Sequence, residues 1–295
     1  MIRPVHELSV AEARERELAV LRLTPSEPVA EVLELLLPGT AGEIPVRLYL
    51  PNGPRPLPVL VYFFGGGWVL GSVDTVDPVC RRLANATPCA LASVGYRRAP
   101  EDPFPAGLED CYAATHWLAQ QGRELGLDPS RLAVGGASSG GNLAAAVTLL
   151  ARERGGPRIA FQLLVYPPVD ERAATSSTPA RELRVFGNDD LAWCWSHYLA
   201  KPADGENPLA SPLRAPDLQG LPAALVITAE LDPVCEQAEQ YAARLLDAGV
   251  RTELVRFDGA AHGFFSQHDR PGRTAEAQAL AASALQRAFD QGGRT

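Results

Sequence analysis

Three residue types spaced along this chain can together make an activated nucleophile. Gly136-Ala137-Ser138-Ser139-Gly140 sets a serine at the centre of a G-x-S-x-G pentapeptide. Downstream, Ala229-Glu230-Leu231-Asp232-Pro233 supplies a carboxylate, and Asp258-Gly259-Ala260-Ala261-His262-Gly263 supplies an imidazole. A serine hydroxyl is a poor nucleophile near neutral pH and needs a base beside it. A histidine can take the proton, and a carboxylate fixes its tautomer and stabilises the imidazolium. Ser, then Asp, then His is one of the chain orders in which this chemistry is found.

A fourth part lies upstream, in Phe64-Gly65-Gly66-Gly67-Trp68. Glycines after a strand let the backbone approach a substrate and aim N–H groups at a developing oxyanion. A phosphate cradle would want a following lysine or G-x-G-x-x-G spacing, and neither is present. No H-e-x-x-H and no Cys/His ligand spacing points to a metal, so no cofactor is expected.

Each assignment has rivals in the chain. Ser138 could be a plain helix N-cap. Centring the pentapeptide on Ser139 would put Ala137 where a glycine is wanted. Glu230 and Glu236 compete with Asp232, but Pro233 stops the strand and leaves Asp232 on the loop. His6, His116, His197 and His268 compete with His262, which alone combines a preceding strand with a neighbouring glycine. Tyr96-Arg97 and Glu101-Asp102 read as a structural corner bracing the glycine loop.

The elements that must position these groups alternate. Strands are expected near 58–63, 89–94, 132–135, 160–165, 223–228 and 253–257. Helices are expected near 77–86, 106–121, 140–153, 235–248 and 274–289. Such alternation predicts an α/β fold, a mostly parallel sheet with helices on both faces. A strand pair, 29–37 and 44–50, precedes it. Ser9 to Arg22 reads as an amphipathic helix, and the alternation breaks between Pro167 and Pro222. That break holds Thr175-Ser176-Ser177-Thr178 and an aromatic patch of Trp193, Trp195 and Tyr198, and it reads as a lid. The expected organisation is one domain over 1–295, with cap elements at about 1–25 and 168–215.

Five stretches carry a resemblance to a known family. They are Tyr62-Phe63-Phe64-Gly65-Gly66-Gly67-Trp68, Gly95-Tyr96-Arg97-Arg98-Ala99-Pro100-Glu101 with Pro103-Phe104-Pro105-Ala106, Gly136-Ala137-Ser138-Ser139-Gly140-Gly141-Asn142, Ala229-Glu230-Leu231-Asp232-Pro233, and His262-Gly263-Phe264-Phe265. The chain resembles the hormone-sensitive-lipase-like bacterial esterases of the α/β-hydrolase fold, from about Pro28 to about Gln286. The resemblance implies Ser138 as nucleophile, Asp232 as orienting acid and His262 as base. It implies Gly66, Gly67 and Ser139 as backbone oxyanion donors, a helical cap, and a small to medium acyl pocket. Trp68, Ala137 and Phe264, next to these groups, are the expected substrate-binding residues. Two positions depart from the family pattern. Phe64 stands where a loop-holding histidine is usual, and Ala137 and Ser139 replace an aspartate and an alanine at the elbow.

The expected function is hydrolysis of short- to medium-chain carboxylic esters through an acyl-enzyme. An amidase, a lactonase or a cyclising enzyme on the same triad is the alternative. A non-catalytic small-molecule receptor is disfavoured because all three triad members are present. Composition limits the partners. A charged fraction of 21% with 46% hydrophobic residues is that of a globular protein. A net charge of −8 argues against a nucleic-acid surface and against anionic lipid. No run approaches the length of a membrane span, and the N-terminus lacks the apolar core of a signal peptide. The five scattered cysteines read as free thiols in a reducing compartment, so the expected location is cytoplasmic. The expected partner is a small-molecule ester, with a homodimer left open.

Overall fold

The computed structural model describes residues 3–21, 26–172, 186–266 and 271–292. Eight strands form one sheet: β1 (Glu31–Gly39), β2 (Gly42–Leu50), β3 (Leu57–Phe63), β4 (Ala90–Val94), β5 (Leu127–Ala137), β6 (Phe161–Val165), β7 (Ala223–Leu231) and β8 (Thr252–Ala261). Their spatial order is β1-β2-β4-β3-β5-β6-β7-β8. β2 runs antiparallel to both neighbours, and from β4 to β8 every pairing is parallel. β3, β4 and β6 are buried along their whole length, as expected of strands covered on both faces.

The described helices are α1 (Val10–Leu21), α2 (Asp77–Ala86), α3 (Ala106–Gln121), α4 (Ser139–Glu153), α5 (Asn188–Tyr198), α6 (Cys235–Asp247) and α7 (Pro271–Gly292). α2 packs on α7, and α3 packs on α4. The expected α/β alternation is therefore present. The differences are at the ends of elements. β5 begins at Leu127, ahead of the strand expected near 132–135, because Leu127 still pairs with Leu57 before a register shift. β7 and β8 run on to Leu231 and Ala261, past the apolar runs that mark them in the sequence.

Register gathers the chemistry at one edge. Phe63 pairs with Gly136, which sets the glycine loop beside the serine turn. Leu231 pairs with Ala261, so Asp232 and His262 leave the sheet from the same rung. All three turns lie at the carboxyl ends of parallel strands, where open α/β sheets bind ligands.

Candidate active site

Ser138 caps β5 at φ +57°, a region that non-glycine residues rarely occupy. The turn is tight enough to require glycine on both sides. A Cβ on Gly136 would fall 2.5 Å from the Phe63 carbonyl oxygen, and one on Gly140 would fall 1.9 Å from it. The strained residue is anchored by its own N–H, which donates to Val165 O at 2.9 Å.

Ser138 Oγ lies 2.8 Å from His262 Nε2, and His262 Nδ1 lies 2.7 Å from Asp232 Oδ2. The other Asp232 oxygen accepts the Val234 N–H at 3.0 Å, which fixes the carboxylate's plane. The Asp232 side chain is fully buried. Two rings flank the imidazole: Phe186 is stacked at 4.5 Å and Tyr166 is tilted at 4.8 Å. A hydroxyl, an imidazole and a buried carboxylate in line can generate an alkoxide-like nucleophile without any metal. Among the described residues no group of three or more His, Cys, Asp or Glu side chains could hold a metal ion.

The rival residues are engaged elsewhere. His6 bonds Asp190, His116 lies 2.8 Å from Gln120, and His197 meets the Trp193 ring. Glu230 accepts the Gly259 N–H, and Glu236 accepts from Gln240. Ser139 is buried behind the elbow. His268 lies outside the described residues.

The glycine loop curls over this group. Gly66 and Gly67 have φ of +122° and +60°, and a Cβ on Gly67 would collide with Cys194 Sγ at 2.2 Å. Gly66 and Gly67 face a cavity of about 280 Å³, which Ala137, Ser138 and His262 also line. Ser139 opens α4, so its N–H is among those a helix leaves without an intrahelical acceptor. Cys194 also faces the cavity, but burial pushes its thiol up to about 12, so it stays protonated and does not compete with the serine.

Phe64 and its surroundings show what replaces the family's histidine. The Tyr96 hydroxyl donates to the Phe64 carbonyl at 2.8 Å, and the two rings stack. Arg97 makes a two-pronged bond to Asp110 below, at 2.8 Å on each prong. The 96–102 segment is thus a brace, and its charges are spent on structure.

Of the expected substrate-binding residues, Ala137 lines the cavity. Trp68 and Phe264 are not among the residues that line it. Trp68 takes φ +61° and is buried against Tyr198, stacked at 4.2 Å, and Trp195, tilted at 4.4 Å. Phe264 packs between Tyr166 and Phe257. The cavity face is taken by Val5, Glu17, Leu70, Tyr166 and Phe186, which come from four separate parts of the chain. No local motif in the sequence marks them.

The N-terminal segment and α5 meet here. His6 N–H donates to Asp190 Oδ1 at 3.0 Å, which ties the N-terminal segment to the start of α5. Asn142 of α4 donates to Pro168 O at 2.8 Å and Ala210 O at 2.9 Å, pinning both ends of the 168–215 segment behind the elbow. Thr175-Ser176-Ser177-Thr178 falls outside the described residues.

This architecture and this site match known proteins. A family model described as the alpha/beta hydrolase fold matches residues 60–266. The chain belongs to the α/β-hydrolase family. Within the family it is hormone-sensitive-lipase-like. It is 39% identical over 290 residues to a protein named carboxylesterase NlhH of Mycobacterium tuberculosis, covering 96% of this chain and 90% of that one. It is 40% identical over 257 residues to carboxylic ester hydrolase LipN of the same organism, covering 83% of this chain and 67% of that one. Among solved α/β-hydrolase structures, a Pyrobaculum calidifontis esterase superposes with a TM-score of 0.91 at 39% identity, covering 97% of this chain and 95% of that one. No helix among the described residues is long and apolar enough to cross a membrane.

Proposed function

We propose that the protein is a serine carboxylester hydrolase with Ser138 as nucleophile, His262 as general base and then acid, and Asp232 as the orienting carboxylate. The observation that carries this reading is the continuous relay Ser138 Oγ, His262 Nε2, His262 Nδ1, Asp232 Oδ2, at 2.8 and 2.7 Å. The names of its relatives support an ester as substrate.

In the reaction, Ser138 Oγ attacks the ester carbonyl carbon while His262 Nε2 takes the hydroxyl proton. The carbonyl oxygen becomes an oxyanion held by the N–H groups of Gly66, Gly67 and Ser139. Collapse breaks the bond to the alkoxy group, which leaves with the proton from His262. A water molecule, deprotonated by His262, then attacks the acyl-enzyme and releases the acid. The relay stays intact because Asp232 is buried and doubly held, so His262 keeps one tautomer and one orientation.

A cavity of about 280 Å³ has room for a short or medium acyl chain. The segments 1–25 and 168–215 serve as its cap on a single domain. All five cysteines are free, and four are buried, which fits a reducing cytoplasm. The experiment is direct. A fluorophosphonate should label Ser138, and Ser138→Ala should abolish both labelling and hydrolysis of p-nitrophenyl butyrate. Label on Ser139, or turnover by Ser138→Ala, would refute the assignment.

A further inference from the structure

The glycine loop is held from a second side, by charged groups of α1. Residues 66–71 form a compact turn in which Gly66 O accepts both Val69 N–H, at 3.2 Å, and Leu70 N–H, at 2.8 Å. Arg14 Nε donates to Val69 O at 3.0 Å. Its Nη2 donates to Ala99 O at 2.9 Å, and the guanidinium grips Glu101 with bonds of 2.6 and 2.8 Å. Three residues along the helix, the Glu17 carboxylate accepts the Gly71 N–H at 2.7 Å. Arg98 donates to Gly71 O at 2.6 Å from below.

Among its described side chains, α1 is therefore docked by polar bonds more than by apolar burial. Ala13 is buried, while Leu18 on the same helix is 47% exposed. A helix serving only as a greasy cover would turn Leu18 inward. Glu17 also lines the cavity beside Gly66, Gly67 and Ser138. A carboxylate at the wall of a mostly apolar cavity costs desolvation unless a specific donor meets it. The donor that meets it is the backbone of the loop itself.

We propose that Arg14 and Glu17 are positioning residues that set the aim of the Gly66 and Gly67 N–H groups, so that the cap helix and the oxyanion donors move as one unit. This rests on the reading of Ser138 as nucleophile and of the glycine loop as oxyanion site. Its consequence is that any substrate that shifts α1 on entry also retunes the donors, which couples cap closure to the chemical step.

The test uses full-length protein carrying Glu17→Ala, Glu17→Gln or Arg14→Lys. The readouts are kcat and KM on p-nitrophenyl butyrate and affinity for a trifluoromethyl ketone, which forms a tetrahedral adduct with the serine. Losing one oxyanion donor outright costs about 10²–10³ in kcat. Misaiming the donors should cost less, about 10–100-fold, with KM changed by less than about 3-fold and ketone affinity falling in parallel with kcat. Glu17→Gln, whose amide oxygen can still accept the Gly71 N–H, should recover most of that loss. Arg14→Lys keeps the charge and supports the fold, but it cannot serve Val69, Ala99 and Glu101 together, so its kcat should also fall. A rise in KM alone, with kcat and ketone affinity untouched, would overturn the proposal and leave Glu17 a wall residue. Failure of the serine reading is distinguishable: the wild-type protein would then escape fluorophosphonate labelling.

Discussion

The ring of Phe64 lies against that of Tyr96, with centroids 4.0 Å apart and planes 14° apart, while the Tyr96 hydroxyl holds the Phe64 carbonyl. One aromatic pair thus does by stacking and one hydrogen bond what a loop histidine would do by hydrogen bonding alone. Phe64 is 1% exposed, so Phe64→Ala should cost about 3–5 kcal/mol of stability and lower the melting temperature. It should also lower kcat, because looser N–H donors stabilise the oxyanion less. Tyr96→Phe keeps the stack and orphans a buried carbonyl, which should cost about 1–3 kcal/mol. Unchanged melting and kcat in Phe64→Ala would make the ring a spectator.

In the proposed mechanism Ser138, His262 and Asp232 act through one hydrogen-bonded relay, so their losses should not multiply. Ser138→Ala and His262→Ala should each lower turnover by about 10⁴-fold or more, and the double variant should be no worse. Strictly multiplicative losses in the steady-state rates would separate the residues into independent roles.

Phe186 is stacked on the His262 imidazole and also faces the cavity. An aromatic pair contributes about 0.5–1.5 kcal/mol beyond burial, so Phe186→Ala should slow turnover by about 3–10-fold through imidazole misorientation. Phe186→Leu refills the volume without the ring. If it restores the full rate, packing alone explains the contact.

Two carboxylates at the foot of α1 should leave opposite marks on pH-dependent stability. Burial raises the Glu17 carboxyl above its ordinary 4.5, so folding binds its proton more tightly than the unfolded chain does. Its favourable contribution is complete below 4.5 and is lost as pH rises through the folded value. The hydrogen bond from Arg14 holds Glu101 down at about 2, so its contribution is present above 4.5 and is lost as pH falls toward 2. Glu101 is exposed, so its share should be small. Urea midpoints followed between about pH 4 and 7 should show Glu17→Gln gaining on wild type as pH rises. A gain independent of pH would rule out Glu17 as its source.

Val5 and Glu17 both face the cavity, so the N-terminal segment forms part of its wall. Deleting residues 1–21 should leave Ser138 open to the fluorophosphonate, slow the hydrolysis of short esters and broaden the preferred chain length, since an open site excludes water and positions substrate poorly. An identical chain-length profile in the truncated protein would show that the segment is not part of the cap.

The chain by itself determined the parts whose signal is local. Continuous apolar runs such as Leu57–Phe63 specify buried strands, and Gly136 and Gly140 flank a serine because the turn has no room for a Cβ. Asp232 and His262 could be picked from their rivals because each follows a strand. Only the tertiary structure decided what depends on distant pairing. The Leu231–Ala261 register brings the carboxylate to the imidazole, and a shift of one residue would turn every side chain of the strand to the other face. Trp68, which sits beside the glycines in sequence, packs against Tyr198 and Trp195 instead of lining the cavity. Glu17 and Phe186 reach the cavity from 121 residues before and 48 residues after Ser138. A cap residue's role is set by which loop it happens to meet, and that meeting is a contact between elements that no periodicity or spacing in either one encodes.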